Sequence, residues 1–278
     1  DFIKYNSIKT RALASENYHK TNGGMLNAFH KFSSNKSGRV AYLGGSITHN
    51  HGWRDSINHF MQERFPDASL EFINAGIPSM GSTPSAFRLE RDVLSKGKVD
   101  LLFVEAAVND SGNGRTSKEQ KRAMEGIIRQ ARNSNPEMDI VIMHFVDPEK
   151  ISLYREGLIP EVIVNHQAVA DHYGIPTINL AKEVTDRIDA GEFSWEKDFK
   201  NLHPSPFGQG VYAHSIITFL KNSFNKSKLL KEEAIHYTVP TKLDQYAYGS
   251  GFLVDVKEAK LAKGWQHIPD WEPADNLN

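Results

Sequence analysis

A serine follows two glycines in Gly44-Gly45-Ser46-Ile47-Thr48, directly after the apolar run Arg39–Leu43. Glycine lets the backbone turn there without a Cβ clash, which leaves the serine hydroxyl pointing into the crevice where a strand ends. Ser46 is therefore a candidate nucleophile, although a plain glycine-serine turn or a phosphate-binding loop would use the same residues. The segment is not the Gly-x-Ser-x-Gly elbow. Two further apolar runs end in possible amide donors, at Asn74-Ala75-Gly76 and at Glu105-Ala106-Ala107-Val108-Asn109-Asp110. Acyl transfer builds negative charge on the former carbonyl oxygen, and each preorganised N–H aimed at it contributes roughly 3–4 kcal/mol. Taken singly, Gly76 reads as a tight turn and Asn109 as an Asx-turn or helix cap. Far downstream, His203 stands in Asn201-Leu202-His203-Pro204-Ser205-Pro206, where two prolines flank Ser205 and fix the loop. An imidazole held over a serine can take the hydroxyl proton and return it to the leaving group.

The elements that must position these residues are legible as short β-branched blocks separated by stretches of helical periodicity. Strands are predicted at Arg39–Leu43, Leu70–Asn74, Asp100–Ala107, Asp139–Phe145 and Pro176–Leu180. All five lack polar alternation, as expected of strands buried on both faces. Helices are predicted over Trp53–Phe65, Pro84–Ser95, Lys118–Asn133, Glu161–Tyr173 and Gly208–Asn222. Right-handed crossovers stack such units into a three-layer α/β sandwich around a parallel sheet, and ligands bind beyond the carboxyl ends of the strands. Ser46, Gly76 and Asn109 all follow strand ends.

A chain of 278 residues is long enough for one large α/β domain with an appendage. Lys plus Arg (33) nearly cancels Asp plus Glu (34), so no net field draws it to nucleic acid or anionic lipid. With no cysteine, disulfides, thiolate metal sites and a cysteine nucleophile are excluded. No apolar run reaches the roughly 20 residues of a membrane span, and Asp1–Asn17 lacks the pattern of a signal peptide. The domain layout expected is a lead-in over 1–38, a catalytic domain over 39–225 and an aromatic-rich tail over 236–278. That tail holds Tyr237, Tyr246, Tyr248, Trp265 and Trp271 and reads as a wrapping segment or the edge of an accessory β module. His49 and His51 invite a metal reading with His144 or Asp147, but histidines two apart in a polar loop share no fixed face. Lys226-Ser227-Lys228-Leu229-Leu230-Lys231 reads as a solvated helix end.

In order and placement these four blocks resemble the SGNH (GDSL-like) hydrolases. Gly44-Gly45-Ser46-Ile47-Thr48 is similar to the first block, with Gly45 where that family often has aspartate. Gly76 matches the second, Val108-Asn109-Asp110 the third and His203-Pro204 the last, so the resemblance runs from about Arg39 to Leu220. It implies a flavodoxin-like αβα sandwich on a five-stranded, mostly parallel sheet. It further implies ester hydrolysis by Ser46 and His203 without a cofactor, the oxyanion being held by the Ser46 and Gly76 amides and Asn109. Phe103-Val104-Glu105 and Leu202-His203-Pro204-Ser205-Pro206-Phe207-Gly208-Gln209 resemble the bacterial carbohydrate acetyl esterases of this family. That narrower likeness implies an oligosaccharide ester as substrate and a periplasmic or secreted protein whose leader has been removed.

One departure stands out. Lys200 occupies the position three before the histidine where the family usually has aspartate, and the nearest acid upstream is Asp198. Asp198 is the candidate third member of a triad; a backbone carbonyl or a serine-histidine dyad would replace it. Trp195 is a candidate for stacking on a sugar ring or for core packing. Two other functions use the same sequence: hydrolysis of longer acyl esters or thioesters, and glycan binding without catalysis.

Overall fold

The computed structural model describes residues 13–22, 24–230, 234–269 and 271. Five parallel strands form its centre: β2 (Ser37–Gly44), β3 (Ser69–Gly76), β4 (Leu101–Glu105), β5 (Asp139–Met143) and β6 (Thr177–Ile178). A sixth, β1 (His19–Lys20), pairs antiparallel with β6, giving the order β1-β6-β5-β4-β2-β3. The expected count of five is thereby corrected to six. A two-residue strand inside the lead-in carries no periodicity from which it can be read.

Alternate residues of the central strands feed two separate cores. Val40, Tyr42, Leu101, Phe103 and Val141 face α1 (Leu26–Ser34), α3 (Trp53–Arg64), α9 (Leu180–Asp189) and α10 (Pro206–Leu229). Ala41, Leu43, Leu102, Val104 and Ile140 face α4 (Ser82–Asp92), α6 (Ser117–Ser134) and α8 (Glu161–His172). This division makes the three layers, and it explains why β4 and β5 are buried at every position. β3 differs because it is the sheet edge: Glu71 and Asn74 are exposed between partly buried neighbours, so the expectation of burial on both faces fails there.

Two predicted strands also run on into helices. Glu105 ends β4 and Ala107 opens α5 (Ala107–Gly112), while β6 stops at Ile178 and Leu180 opens α9. The helix α7 (Pro148–Arg155), capped by Asp147, was likewise not foreseen. The chain order reverses between β2 and β4, which are neighbours although β3 lies between them in sequence. Ligands of open α/β sheets bind at such a switch point.

The tail segment lies along α6. Tyr237 donates its hydroxyl to Asp139 Oδ1 at 2.6 Å, and the Arg132 guanidinium sits 3.3 Å from the Tyr237 ring centroid. Glu125 accepts from the backbone N–H groups of Leu243 and Asp244, and Gln130 donates to the Tyr248 carbonyl. Among the described residues beyond Gly251 the large apolar side chains are exposed, Phe252 and Trp265 among them. Among the described residues no helix is long and apolar enough to cross a membrane.

Candidate active site

Ser46, the candidate nucleophile, sits on a single helical turn, α2 (Ser46–His49), that begins as soon as β2 ends. Ser46 opens the turn, so its own N–H has no acceptor within it. The turn's carbonyl end is held from α3: Arg54 donates to the Thr48, His49 and Asn50 carbonyls, and Trp53 Nε1 donates to Ile47 O at 3.1 Å. Its leading end is held from β4. Glu105 Oε1 accepts from Gly45 N–H at 2.6 Å and from the Thr48 hydroxyl at 2.8 Å. Arg88, from α4, donates to the Gly44 carbonyl at 3.0 Å. Burial pushes the Glu105 carboxyl up to about 6, against the two hydrogen bonds that favour its charged form.

This cradle explains both glycines. A Cβ on Gly44 would lie 2.2 Å from Glu105 Oε1, and one on Gly45 would lie 2.0 Å from Asn109 Oδ1. The family's frequent aspartate has no room at position 45 while Asn109 leans there. Asn109 itself rides on α5, partly buried, and its side-chain amide makes no hydrogen bond to another described residue. Next to it the buried Asp110 accepts from Ser82 N–H at 2.8 Å, the Ser82 hydroxyl at 2.6 Å and His166 Nε2 at 3.0 Å. These bonds tie α5 to α4 and α8. Burial raises the Asp110 carboxyl, but the bonds from His166 and Ser82 outweigh it and hold the group below its ordinary value.

Gly76, paired with Gly44 at the end of β3, packs directly on the turn: a Cβ there would meet His49 N at 2.3 Å. Its N–H donates to Asn74 Oδ1 at 3.0 Å, so it must share or leave that acceptor to serve an oxyanion.

Across from Ser46, His203 Nε2 lies 2.7 Å from the serine Oγ. The histidine side chain is exposed and its Nδ1 has no partner among the described residues. Its backbone is what is fixed. Asn201 Oδ1 accepts the His203 N–H at 2.7 Å, Pro204 favours an extended conformation for the residue before it, and Ser205 N–H returns to Phe199 O at 2.9 Å. Lys200, at φ +83°, makes the turn into this loop.

The structure does not bring Asp198 to His203, and the expected triad is corrected on this point. The Asp198 carboxylate accepts from the Ser194 N–H at 2.8 Å and from the Ser194 hydroxyl at 3.2 Å, closing a short π-helical turn over Trp195–Phe199. Local capping takes the acid that a triad would need. Trp195, on the same turn, is partly buried and stacked on Phe199 with centroids 5.0 Å apart at 19°. The residues of the metal reading have separate partners: His49 Nδ1 faces Gly76 O, His51 pairs with Asp55, and Asp147 pairs with Lys150. His144 is fully buried, and burial holds it well below its ordinary value, hence neutral.

Glu105, Arg54 and Arg88, which hold the segment around Ser46, are not among the residues that the sequence singles out. A carboxylate ending an otherwise apolar strand was the available signal for Glu105.

The sequence profile of the GDSL-like lipase/acylhydrolase family matches residues 42–211, more than half of the chain and the whole of this constellation. The chain belongs to that family. Among solved structures, this GDSL-like acylhydrolase is similar to a two-domain esterase active on acetylated mannans, co-crystallised with mannopentaose. The two share 25% identity at a TM-score of 0.68, over 85% of this chain and 61% of the other. The acylhydrolase thus spans about three-fifths of that protein's length. A putative GDSL-like lipase from Parabacteroides merdae (14% identity, TM-score 0.58, 67% of this chain and 96% of that one) shares the fold. So does LAE5, from the metagenome of Lake Arreo, Spain (16% identity, TM-score 0.56, 66% and 95%). Comparison with curated proteins gives no match.

Proposed function

We propose that this acylhydrolase removes O-acetyl groups from carbohydrate through an acetyl-serine intermediate, using a Ser46–His203 dyad. The observation that carries the reading is the 2.7 Å contact between Ser46 Oγ and His203 Nε2 beside an unengaged Asn109 amide. His203 Nε2 takes the hydroxyl proton as Oγ attacks the acetyl carbonyl. The Ser46 N–H and the Asn109 amide hold the oxyanion, joined by the Gly76 N–H once it turns from Asn74. The imidazolium then returns its proton to the sugar oxygen, which leaves as the alcohol. In the second half, His203 deprotonates water, the hydroxide attacks the acetyl-serine, and acetate departs as Oγ regains the proton.

The scheme uses no acid behind the histidine: the loop backbone fixes where the side chain starts and the contact with Ser46 Oγ directs its Nε2. Similarity to an esterase active on acetylated mannans supports a carbohydrate-borne ester. Work on acetylated polysaccharide would place the protein outside the cytoplasm. The deciding experiment is acetate release from acetylated mannan, xylan and xyloglucan, compared with hydrolysis of nitrophenyl esters of increasing chain length. Release from polysaccharide with preference for acetyl supports the reading; preference for long acyl chains overturns the substrate, and failure of a fluorophosphonate to label Ser46 overturns the chemistry.

A further inference from the structure

A cleft of about 720 Å³ lies apart from Ser46 and His203, neither of which lines it. It runs between α7, the end of α9 and the Trp195–Phe199 turn. Its volume falls within the range of small-molecule sites, roughly 300–1,000 Å³. Ile151, Ile188 and Phe193 give it an apolar floor, and the exposed Ser152 and Arg155 form part of its rim.

Most of its charges are paired. Arg155 is held by Asp189 at 2.7 Å and Glu192 by Arg187 at 2.7 Å, Glu196 and Lys197 are adjacent opposite charges, and the one remaining carboxylate, Asp198, accepts from the Ser194 N–H and hydroxyl. No cluster of like charge calls for an ionic ligand. Trp195 supplies the recognition element. Trp195 lines the cleft with Phe199 stacked on one of its faces, and its Nε1–H donates to no described residue. An aromatic plane with a free donor at its rim matches a ligand that has an apolar face and hydroxyls around its edge.

We propose that this cleft binds the neutral glycan chain that carries the ester, with a pyranose ring stacked on Trp195. The cleft wall and the catalytic loop are one piece of chain: the Ser205 N–H and hydroxyl are bonded to the Phe199 and Asp198 carbonyls. A glycan seated there is held beside the loop that carries His203. The proposal rests on a carbohydrate-borne ester as substrate, and its test is separable from that reading.

The test uses the full chain carrying Ser46→Ala, with unacetylated mannopentaose and xylopentaose as probes in titration calorimetry. Binding of at least one is expected, weakened about tenfold or more by adding Trp195→Ala and also by Ser152→Met, which puts bulk into the cleft from an exposed helix position. In the Ser46-containing enzyme, Ser152→Met should raise KM on acetylated polysaccharide about fivefold or more with kcat nearly unchanged. Absence of binding, or binding indifferent to both variants, overturns the cleft proposal even where acetate is released. Binding lost on both changes supports it even where acetate release fails, an outcome that sinks the deacetylation reading alone.

Discussion

The two halves of the proposed catalytic pair are held by different physics. Ser46 stands on a turn gripped from three other elements, by Glu105 of β4, Arg88 of α4 and Arg54 with Trp53 of α3. His203 stands on an exposed loop fixed by its own neighbours, Asn201, Pro204 and Ser205, with no partner for its Nδ1 among the described residues. A nucleophile must point at one atom position in every turnover, whereas the base must only reach it, and the structure invests accordingly. Buried charged hydrogen bonds position the first and local backbone restriction positions the second.

The largest effects test whether the two halves act as one unit. Ser46→Ala and His203→Ala should each lower kcat by about three orders of magnitude or more, and the double variant should be little worse than either. Single-turnover and steady-state rates check this; losses below tenfold would separate the pair. Next in size is the oxyanion donor. Asn109→Ala should cost roughly 10²–10³ in kcat. Gly45→Ala should cost a similar amount, because its methyl would take the place of Asn109 Oδ1. An effect on thermal stability alone would make Asn109 a cap.

Smaller effects should sharpen the contrast. Asp198→Asn should change kcat by less than about tenfold, against roughly 10⁴ for the orienting aspartate of a triad. A loss near that of His203→Ala would restore the triad. For Glu105 the expected effect is on stability. Its carboxyl rises from 4.5 to about 6 on folding, so between those values the folded chain holds a proton that the unfolded chain has lost. Its contribution is fully present below about pH 4.5 and is lost as pH rises through about 6. Glu105→Gln should remove about 2 kcal/mol from that fall in urea-denaturation profiles. A profile unchanged from the parent chain would mean that Glu105 titrates normally. Asp139, also raised to about 6 by burial, leaves its own slope of the same sign in both proteins.

What was legible in the sequence follows the same division. Ser46, Gly76, Asn109 and His203 could be found because strand ends, glycines and prolines announce themselves locally. The cradle could not. Glu105 meets Gly45 across 60 positions and Arg88 meets Gly44 across 44, contacts that no spacing encodes. Asp198 misled because nearness in sequence suggested the triad, while Ser194 four residues earlier offered it a cap. The order of the parallel strands was readable from alternating blocks. The edge character of β3 runs against the expected burial on both faces, although Glu71 interrupts Leu70 and Phe72, because position in a sheet is decided by partners.

The sequence distance within the pair, 157 residues between Ser46 and His203, sets a condition on when the chain can work. Contacts that span so much chain form only after the entropy of closing a long loop has been overcome, and a growing polypeptide emerges from its first residue onward. Ser46 and its glycine turn can be complete while the base is still unmade. On the proposed dyad no activity can precede the synthesis of His203, and its appearance would report the packing of α10 against α3 and α1.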